Sequence, residues 1–371
     1  LEESVMGTTN LETGLLKLEL KGVSRRDFLK YCSATAMMLG MNYCFGGLLA
    51  QAATTAVKKK PVIWIQGQGC TGCSCSLLSS MSPGPAEILL DAISMRFNST
   101  IMGSAGHVST EVLKSSMQEG DYLLVVEGSI PTADPRFCMV EGMPFDELLM
   151  KAAKNASAVI AAGTCAAYGG IPQAGITGAK SVSDLISDKP IINVPGCPLK
   201  PDWLVGTLLY YLTFGEVPAL DAQKRPLAYF GRHFLHDSCA RAAYFERGQF
   251  LEDWNDPSTS AWCLLKKGCK GPVTYADCNS VFWNDGANSC VKAGSPCAGC
   301  VQPEFYKELS PLYASPFAPG TEDEMLPLVK SQRGLDPASV ALGVGIAAVP
   351  LVATQVEKLL KKNIKERAQN E

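Results

Sequence analysis

The chain has 371 residues and a formal net charge of −3, from 33 basic and 36 acidic side chains. With 47% hydrophobic and 19% charged residues it can bury a core and is not a disordered chain, and its near-neutral balance excludes a strongly basic nucleic-acid binder, because phosphate affinity needs a concentrated positive face. Three histidines leave little room for multi-histidine metal chemistry, whereas 15 cysteines are too many for bystanders and too sparse for a small disulfide scaffold.

In chain order the first feature is Ser24-Arg25-Arg26-Asp27-Phe28-Leu29-Lys30, followed by an apolar, small-residue run from Tyr31 to Ala50 and then Ala50-Gln51-Ala52. Paired arginines, a modest apolar stretch and an A-x-A-like cleavage site predict a twin-arginine export signal over 1–52, against the alternative of an amphipathic helix. Cys32 and Cys44 leave with it.

Residues 53–225 predict an α/β domain. Short, near-continuous apolar runs at Pro61–Gln66, Tyr122–Val126, Ala158–Ala162 and Pro190–Val194 read as strands of a parallel sheet buried on both faces. Helical patterns lie between them at Pro85–Phe97 and Pro144–Ala153, and the alternation argues a doubly wound sheet. Sites in such sheets form at the carboxyl ends of the strands. There the chain carries Gly69-Cys70-Thr71-Gly72-Cys73, Glu127-Gly128, Gly163-Thr164-Cys165 and Pro195-Gly196-Cys197-Pro198. Cys70, Cys73, Cys165 and Cys197 would converge on one edge. Four thiolates suit an iron–sulfur cubane, and zinc accepts them as well. The nearby glycines let backbone approach such a centre and donate N–H groups to it. Gly67-Gln68-Gly69-Cys70-Thr71-Gly72 also matches a dinucleotide fingerprint, with Asp91 near the required acidic spacing. Two cysteines inside the would-be phosphate loop argue against that reading.

Over 226–313 the alternation fades and cysteines crowd. His236 and Cys239, three apart, can reach one metal from one turn, and Cys263 and Cys269 complete a possible His-Cys₃ set. Cys278, Cys290, Cys297 and Cys300 make a possible second Cys₄ set. This loop-rich segment cannot form much core unaided, so bound metal would organise it. Disulfides are the alternative outside the cytoplasm, leaving odd counts and the histidine unexplained. Structural zinc is another, although it favours two close pairs per site and only two C-x-x-C pairs are present. His107 and His233 have no such neighbours. Residues 314–337 read as a linker rich in proline, glycine and acids. Residues 338–371 open with the uncharged run Ala338–Thr354, at the short end of what spans a bilayer, followed by Lys358, Lys361 and Lys362. This predicts a C-terminal anchor helix with a cytoplasmic end and a main body on the other side.

Cys70-Thr71-Gly72-Cys73, Gly163-Thr164-Cys165, Pro195-Gly196-Cys197-Pro198, His236-x-x-Cys239 and Cys297-x-x-Cys300 together resemble the small subunit of nickel–iron hydrogenases, from about Pro61 to Tyr313. The resemblance implies a flavodoxin-like domain followed by a loop-rich, mostly irregular or helical iron–sulfur cluster domain. It implies three 4Fe–4S clusters: a proximal one on Cys70, Cys73, Cys165 and Cys197, a medial one on Cys278, Cys297 and Cys300, and a distal one on His236, Cys239, Cys263 and Cys269. Many relatives have proline near the fourth medial position and a 3Fe–4S cluster. Cys290 stands there in this chain, as in selenium-containing relatives, so a medial 4Fe–4S cluster is expected unless Cys290 does not ligate. Gly72 and Gly170 occupy the positions of two extra cysteines in oxygen-tolerant relatives, which implies an ordinary proximal cubane and oxygen sensitivity.

By the same resemblance, hydrogen is activated in a separate large subunit across an extensive apolar interface. Electrons leave near His236, expected as a partly exposed imidazole, for a membrane cytochrome b or a periplasmic cytochrome c. The protein is expected in the periplasm, held to the membrane by its C-terminal helix, with no nucleic-acid partner. Glu127 is expected to support structure by accepting loop N–H bonds, with proton movement as the alternative. Cys75, an extra thiol close to the Cys70–Cys73 loop, reads as a bystander, with a redox accessory as the alternative, and Cys138 reads as structural. A stand-alone multi-cluster electron carrier and a zinc- or disulfide-stapled exported binding protein are the remaining alternatives.

Overall fold

The computed structural model describes residues 60–306, apart from 82–83, 90–92, 232–233 and 285. The export segment 1–52 with Cys32 and Cys44, the linker at 314–337, the apolar run and tail at 338–371, Asp91 and His233 lie outside the described residues. Among the described residues no helix is long and apolar enough to cross a membrane.

Among the described residues seven strands form, β1 (Pro61–Gln66), β2 (Ser94–Asn98), β3 (Tyr122–Glu127), β4 (Met139–Val140), β5 (Met143–Pro144), β6 (Ala156–Ala162) and β7 (Ile191–Val194). Five of them make a parallel sheet in the order β2-β1-β3-β6-β7, and β4 and β5 form a small antiparallel hairpin. The principal helices are α1 (Gly72–Leu78), α2 (Gly106–Glu119), α3 (Phe145–Lys154), α4 (Gly163–Tyr168) and α5 (Pro201–Phe214).

The apolar runs become central strands because both their faces are covered. Every residue of β3 is buried. Successive residues point to opposite faces, so Val62, Trp64, Leu123, Val125 and Ile160 pack with Trp203 and Leu204 of α5. Ile63, Ile65, Leu124, Val126 and Val159 pack instead with Phe145, Leu148 and Leu149 of α3. In α3, Asp146 and Glu147 lie in the first turn and Lys151 and Lys154 in the last, the sense that complements the helix dipole. In α5, Pro201 opens the helix and Gly215 closes it at φ 68°, a left-handed backbone that glycine adopts without a Cβ clash.

The helical expectation over Pro85–Phe97 is corrected. Only Pro85–Glu87 is assigned to a regular helix, and 94–98 is strand β2. Here Ser94, Met95, Phe97 and Asn98 pair with Pro61, Val62, Ile63 and Trp64. The hydrogen bonds offered by the open edge of β1, with burial of Ile93 and Phe97, outweigh a local helical spacing that brings few tenths of a kcal/mol per residue.

Among the described residues beyond Pro226 no strand joins the sheet. The chain runs through short turns, including 3₁₀ turns at Leu235–Ser238, Leu265–Lys267, Gly271–Val273 and Pro303–Tyr306. Its own apolar cluster is small, comprising Leu235, Leu251, Leu264, Val291 and two cysteines. What holds it is the sheet domain. Ala276 and Val301 sit in the same core as Trp203 and Phe230, Trp203 Nε1 donates to Asp277 Oδ1 at 2.8 Å, and Arg225 Nη1 donates to the Val301 carbonyl at 3.3 Å. The Thr164 hydroxyl, at the end of β6, donates to the Cys300 carbonyl.

Trp203 is fully buried and meets the Phe230 ring edge-on at 4.7 Å. Trp203→Ala is expected to cost about 3–5 kcal/mol, a drop of roughly 6–20 °C in thermal midpoint. Trp203→Phe should lose less, because only the bond to Asp277 goes. Scanning calorimetry of the two variants checks the order.

Candidate functional site

At the carboxyl end of the sheet the loops after β1, β6 and β7 meet. Cys70 precedes α1 and Cys73 lies in its first turn, Cys165 is in α4, and Cys197 follows β7. Backbone shape brings them close. Thr71 at φ 64° and Gly163 at φ 86° turn the chain sharply. A Cβ on Gly163 would lie 2.4 Å from Cys73 Sγ, and one on Gly170 would lie 2.9 Å from both Cys165 Sγ and its Cα. Burial, then the charges of Cys197, Cys70 and Glu127, push the Cys165 thiol up to about 12. Burial also drives Cys73 well up, with Glu127 the next cause and Cys165 and Cys197 adding to it. Cys165 and Cys197 each feel the charge of Cys70, and Cys73 feels those of Cys165 and Cys197.

Glu127, the last residue of β3, is 3% exposed and organises this edge. Its Oε1 accepts the N–H groups of Cys73 at 2.9 Å and Ser74 at 3.2 Å. Its Oε2 accepts from Ser74 Oγ at 2.6 Å, Trp64 Nε1 at 2.9 Å and Gln66 Nε2 at 3.0 Å. Five donors on one buried carboxylate fix the turn between Cys70 and α1.

A second group gathers where the C-terminal segment meets this edge. Burial comes first in raising the Cys278, Cys297 and Cys300 thiols, and charges within the group add to each. Cys300 reaches about 12, raised by Cys197 and Cys290 and pulled down by an N–H bond from Cys197. Trp283 bonds to the Cys278 sulfur, and the Gly299 N–H donates to Cys297 Sγ at 3.4 Å. Cys290 is exposed.

The third group comprises His236, Cys239, Cys263 and Cys269, which line one small cavity with Arg241 and Leu264. Burial lifts Cys263 to about 12, Cys269 and Cys239 raise it further, and Arg241 opposes them. The Arg241 N–H donates to Cys239 Sγ at 3.3 Å. His236 is corrected from a partly exposed imidazole: it is 3% exposed, and the Phe245 ring stands edge-on to it at 4.5 Å. The 3₁₀ turn at Leu235–Ser238 and the neighbouring turn at Gly271–Val273 fold over it.

The groups adjoin. The Gly196 N–H, beside Cys197, donates to Thr164 Oγ1 at 2.8 Å and that hydroxyl donates to the Cys300 carbonyl, while the Cys297 N–H donates to Cys269 Sγ at 3.3 Å. None of the thirteen described cysteines is in a disulfide. Among the described residues no His, Cys, Asp or Glu trio is close enough to hold a single metal ion. Cys75 is exposed on α1, Cys138 is half-buried beside the α3 cluster, and His107 is exposed at the start of α2.

Sequence reasoning missed two lysines. Lys200 and Lys270 are both fully buried. The available signal was position, since Lys200 follows Cys197-Pro198-Leu199 and Lys270 follows Cys269 directly. It also missed Thr164 and Asp277, whose partners are remote in sequence.

Comparison with known proteins matches two family models. One, described as the C-terminal part of the NiFe/NiFeSe hydrogenase small subunit, covers residues 231–313. The other, described as NADH ubiquinone oxidoreductase, 20 Kd subunit, covers 70–211. The chain is 38% identical over 367 residues to the uptake hydrogenase small subunit of Azotobacter vinelandii, spanning 95% of this chain and 99% of that one. It is 42% identical over 319 residues to the periplasmic NiFeSe hydrogenase small subunit of Desulfomicrobium baculatum, spanning 79% and 99%. The solved structure of the reduced, active Ni-Fe-Se hydrogenase from that organism superposes with a TM-score of 0.65 at 41% identity, over 70% of this chain and 100% of the matched one.

Glu127→Gln keeps the size of the side chain but replaces one accepting oxygen with an amide NH₂, which then faces the two donors on Oε1 or the three on Oε2. It is expected to cost about 1–3 kcal/mol and to speed amide hydrogen exchange across 70–78. Unchanged exchange there would show that the carboxylate does not hold the turn.

Proposed function

The chain belongs to the small-subunit family of nickel–iron hydrogenases, and from that premise we propose that it carries electrons between a hydrogen-activating large subunit and a cytochrome acceptor. One observation supports this above others: the three donor groups adjoin, the first tied to the second through Thr164, which accepts from the Gly196 N–H and donates to the Cys300 carbonyl, and the second to the third by the Cys297 N–H on Cys269 Sγ. When bound, three 4Fe–4S clusters supply one-electron relays from proximal through medial to distal.

The donor chemistry fits such clusters. Buried thiols with raised pKa values stay protonated on their own, and become thiolates only beside a strong positive charge such as a metal core. Cys70, Cys73, Cys165 and Cys197 hold the proximal cluster. Cys278, Cys290, Cys297 and Cys300 hold the medial, and His236, Cys239, Cys263 and Cys269 the distal. The strand order 2-1-3 followed by the two later strands supports a flavodoxin-like sheet under the proximal ligands.

Glu127 positions the Cys70–Cys73 turn, since both its oxygens are taken by that loop and by β1. The Phe245 ring stands edge-on to His236 and shields it, so His236 would hold the distal cluster as a buried ligand rather than an open side chain. The main-chain N–H groups of Leu199, Ile171, Leu265 and Gly271 donate to Cys73, Cys165, Cys263 and Cys269 and ease the negative charge there. Exposed Leu78, Met81, Ile171 and Ile176 lie on α1, just after it and just after α4, and suit an apolar contact with the large subunit. Glycines rather than cysteines at 72 and 170 are in keeping with an ordinary proximal cubane and oxygen sensitivity. Export by the twin-arginine route, a periplasmic site and a C-terminal anchor follow from residues 1–52 and 338–371 alone.

The test is purification of the native complex with metal counting and EPR. About twelve irons per chain on three cubanes, with a nickel-containing partner, are expected; zinc or no metal would overturn the proposal. Cys290→Ser should remove about one iron per chain, raise the medial potential and add an oxidised 3Fe–4S signal. The same signal at full strength in the unaltered protein would remove Cys290 from the ligands.

A further inference from the structure

Thr164 stands where three segments meet. It lies between the end of β6 and Cys165, in the first turn of α4, and is 1% exposed. Its N–H donates to the Gly196 carbonyl at 3.0 Å, and its hydroxyl oxygen accepts the Gly196 N–H at 2.8 Å. This reciprocal pair binds the loop after β6, which carries Cys165, to the loop after β7, which carries Cys197. The hydroxyl proton remains, and it goes to the Cys300 carbonyl. One side chain therefore grips two loops of the proximal donors and the peptide unit of a medial donor.

The flanking glycines offer no substitute. A Cβ on Gly163 would meet Cys73 Sγ at 2.4 Å, and one on Gly196 would lie 2.6 Å from Leu199 Cα, so neither position can bring a polar side chain to the seam. Without the hydroxyl, the Gly196 N–H and the Cys300 carbonyl lose a shared partner in a buried place. Buried main-chain groups are rarely left so, and the loops must part far enough for water to reach them. Other ties between these regions act elsewhere. Trp203 Nε1 donates to Asp277 Oδ1 at 2.8 Å and Lys200 Nζ lies 3.5 Å from the same oxygen, beside Cys278. Arg225 Nη1 donates to the Val301 carbonyl at 3.3 Å from outside the donor loops.

We propose that Thr164 is a positioning residue for electron transfer: its hydroxyl, shared between Gly196 and Cys300, sets the separation of the proximal and medial clusters. Transfer between buried centres falls steeply as they move apart, so a seam that cannot open keeps this step fast. The proposal rests on the three-cluster reading above.

The test is amide hydrogen exchange and EPR on the complete heterodimer, with iron counted in every sample. Thr164→Val keeps the shape and removes the hydroxyl. It is expected to lose the exchange protection of the Gly196 amide. It is also expected to narrow the splitting that the reduced proximal and medial clusters impose on each other's EPR signals, a dipolar effect that falls with the cube of their separation. Thr164→Ser, which keeps the hydroxyl, should retain both. Thr207→Val removes another buried threonine hydroxyl, one that donates to the Trp203 carbonyl at 2.6 Å within α5. It should leave the splitting unchanged, as a loss of stability alone would. An unaltered splitting in Thr164→Val would overturn the proposal, and so would equal narrowing in Thr207→Val. Iron lost from both Thr164→Val and Thr164→Ala would overturn it too, since the threonine would then serve assembly. Failure of the unaltered complex to show three clusters would instead defeat the relay reading, so the two failures are distinguishable.

Discussion

A buried thiolate needs positive charge beside it, and this chain buries or half-buries most of its sulfur donors in three adjoining groups. Desolvation is the first cause of every upward thiol shift among them, and mutual repulsion compounds it. The folded chain offers little of its own to offset this. It supplies main-chain N–H groups, Arg241 at one group and Lys270 between two of them. A protein that sets its sulfurs in this way is built around what it binds, and the loop-rich 226–306 region has few apolar contacts to stand on otherwise.

The sheet answers a geometric demand. Four sulfurs from three separate loops must reach one place, and parallel strands deliver their carboxyl ends to a single edge. Glu127 completes that edge from β3, converting a carboxylate into a template for the Cys70–Cys73 turn. The C-terminal segment is then laid against the same edge by Thr164, Trp203 and Arg225. Its Cys300 therefore lies where the charge of Cys197 raises it. Fold and site are thus set by the same few contacts.

Much of this was legible from residue patterns. The central strands stood out because burial on both faces requires unbroken apolar runs, and α3 because its charges and apolar stripe follow a turn of helix. Strand β2 was not legible, since Ser94-Met95-Arg96-Phe97-Asn98 carries a mixed pattern and owes its conformation to the edge of β1. The cysteine spacings divided the donors into groups on their own. Spacing could not reveal that His236 lies under Phe245, or that Lys270 is drawn inward, because both depend on segments meeting in space. A lysine reads as a surface residue until its neighbours are known.

The crowding around Gly170 bears on how such a protein can change over generations. Its backbone sits at φ 58°, and a first side-chain atom there would press on the Cα, N and Sγ of Cys165. Any side chain at this position, however small, therefore needs the main chain around Cys165 and Gly170 to shift with it, so a substitution tolerated on an open loop is resisted here.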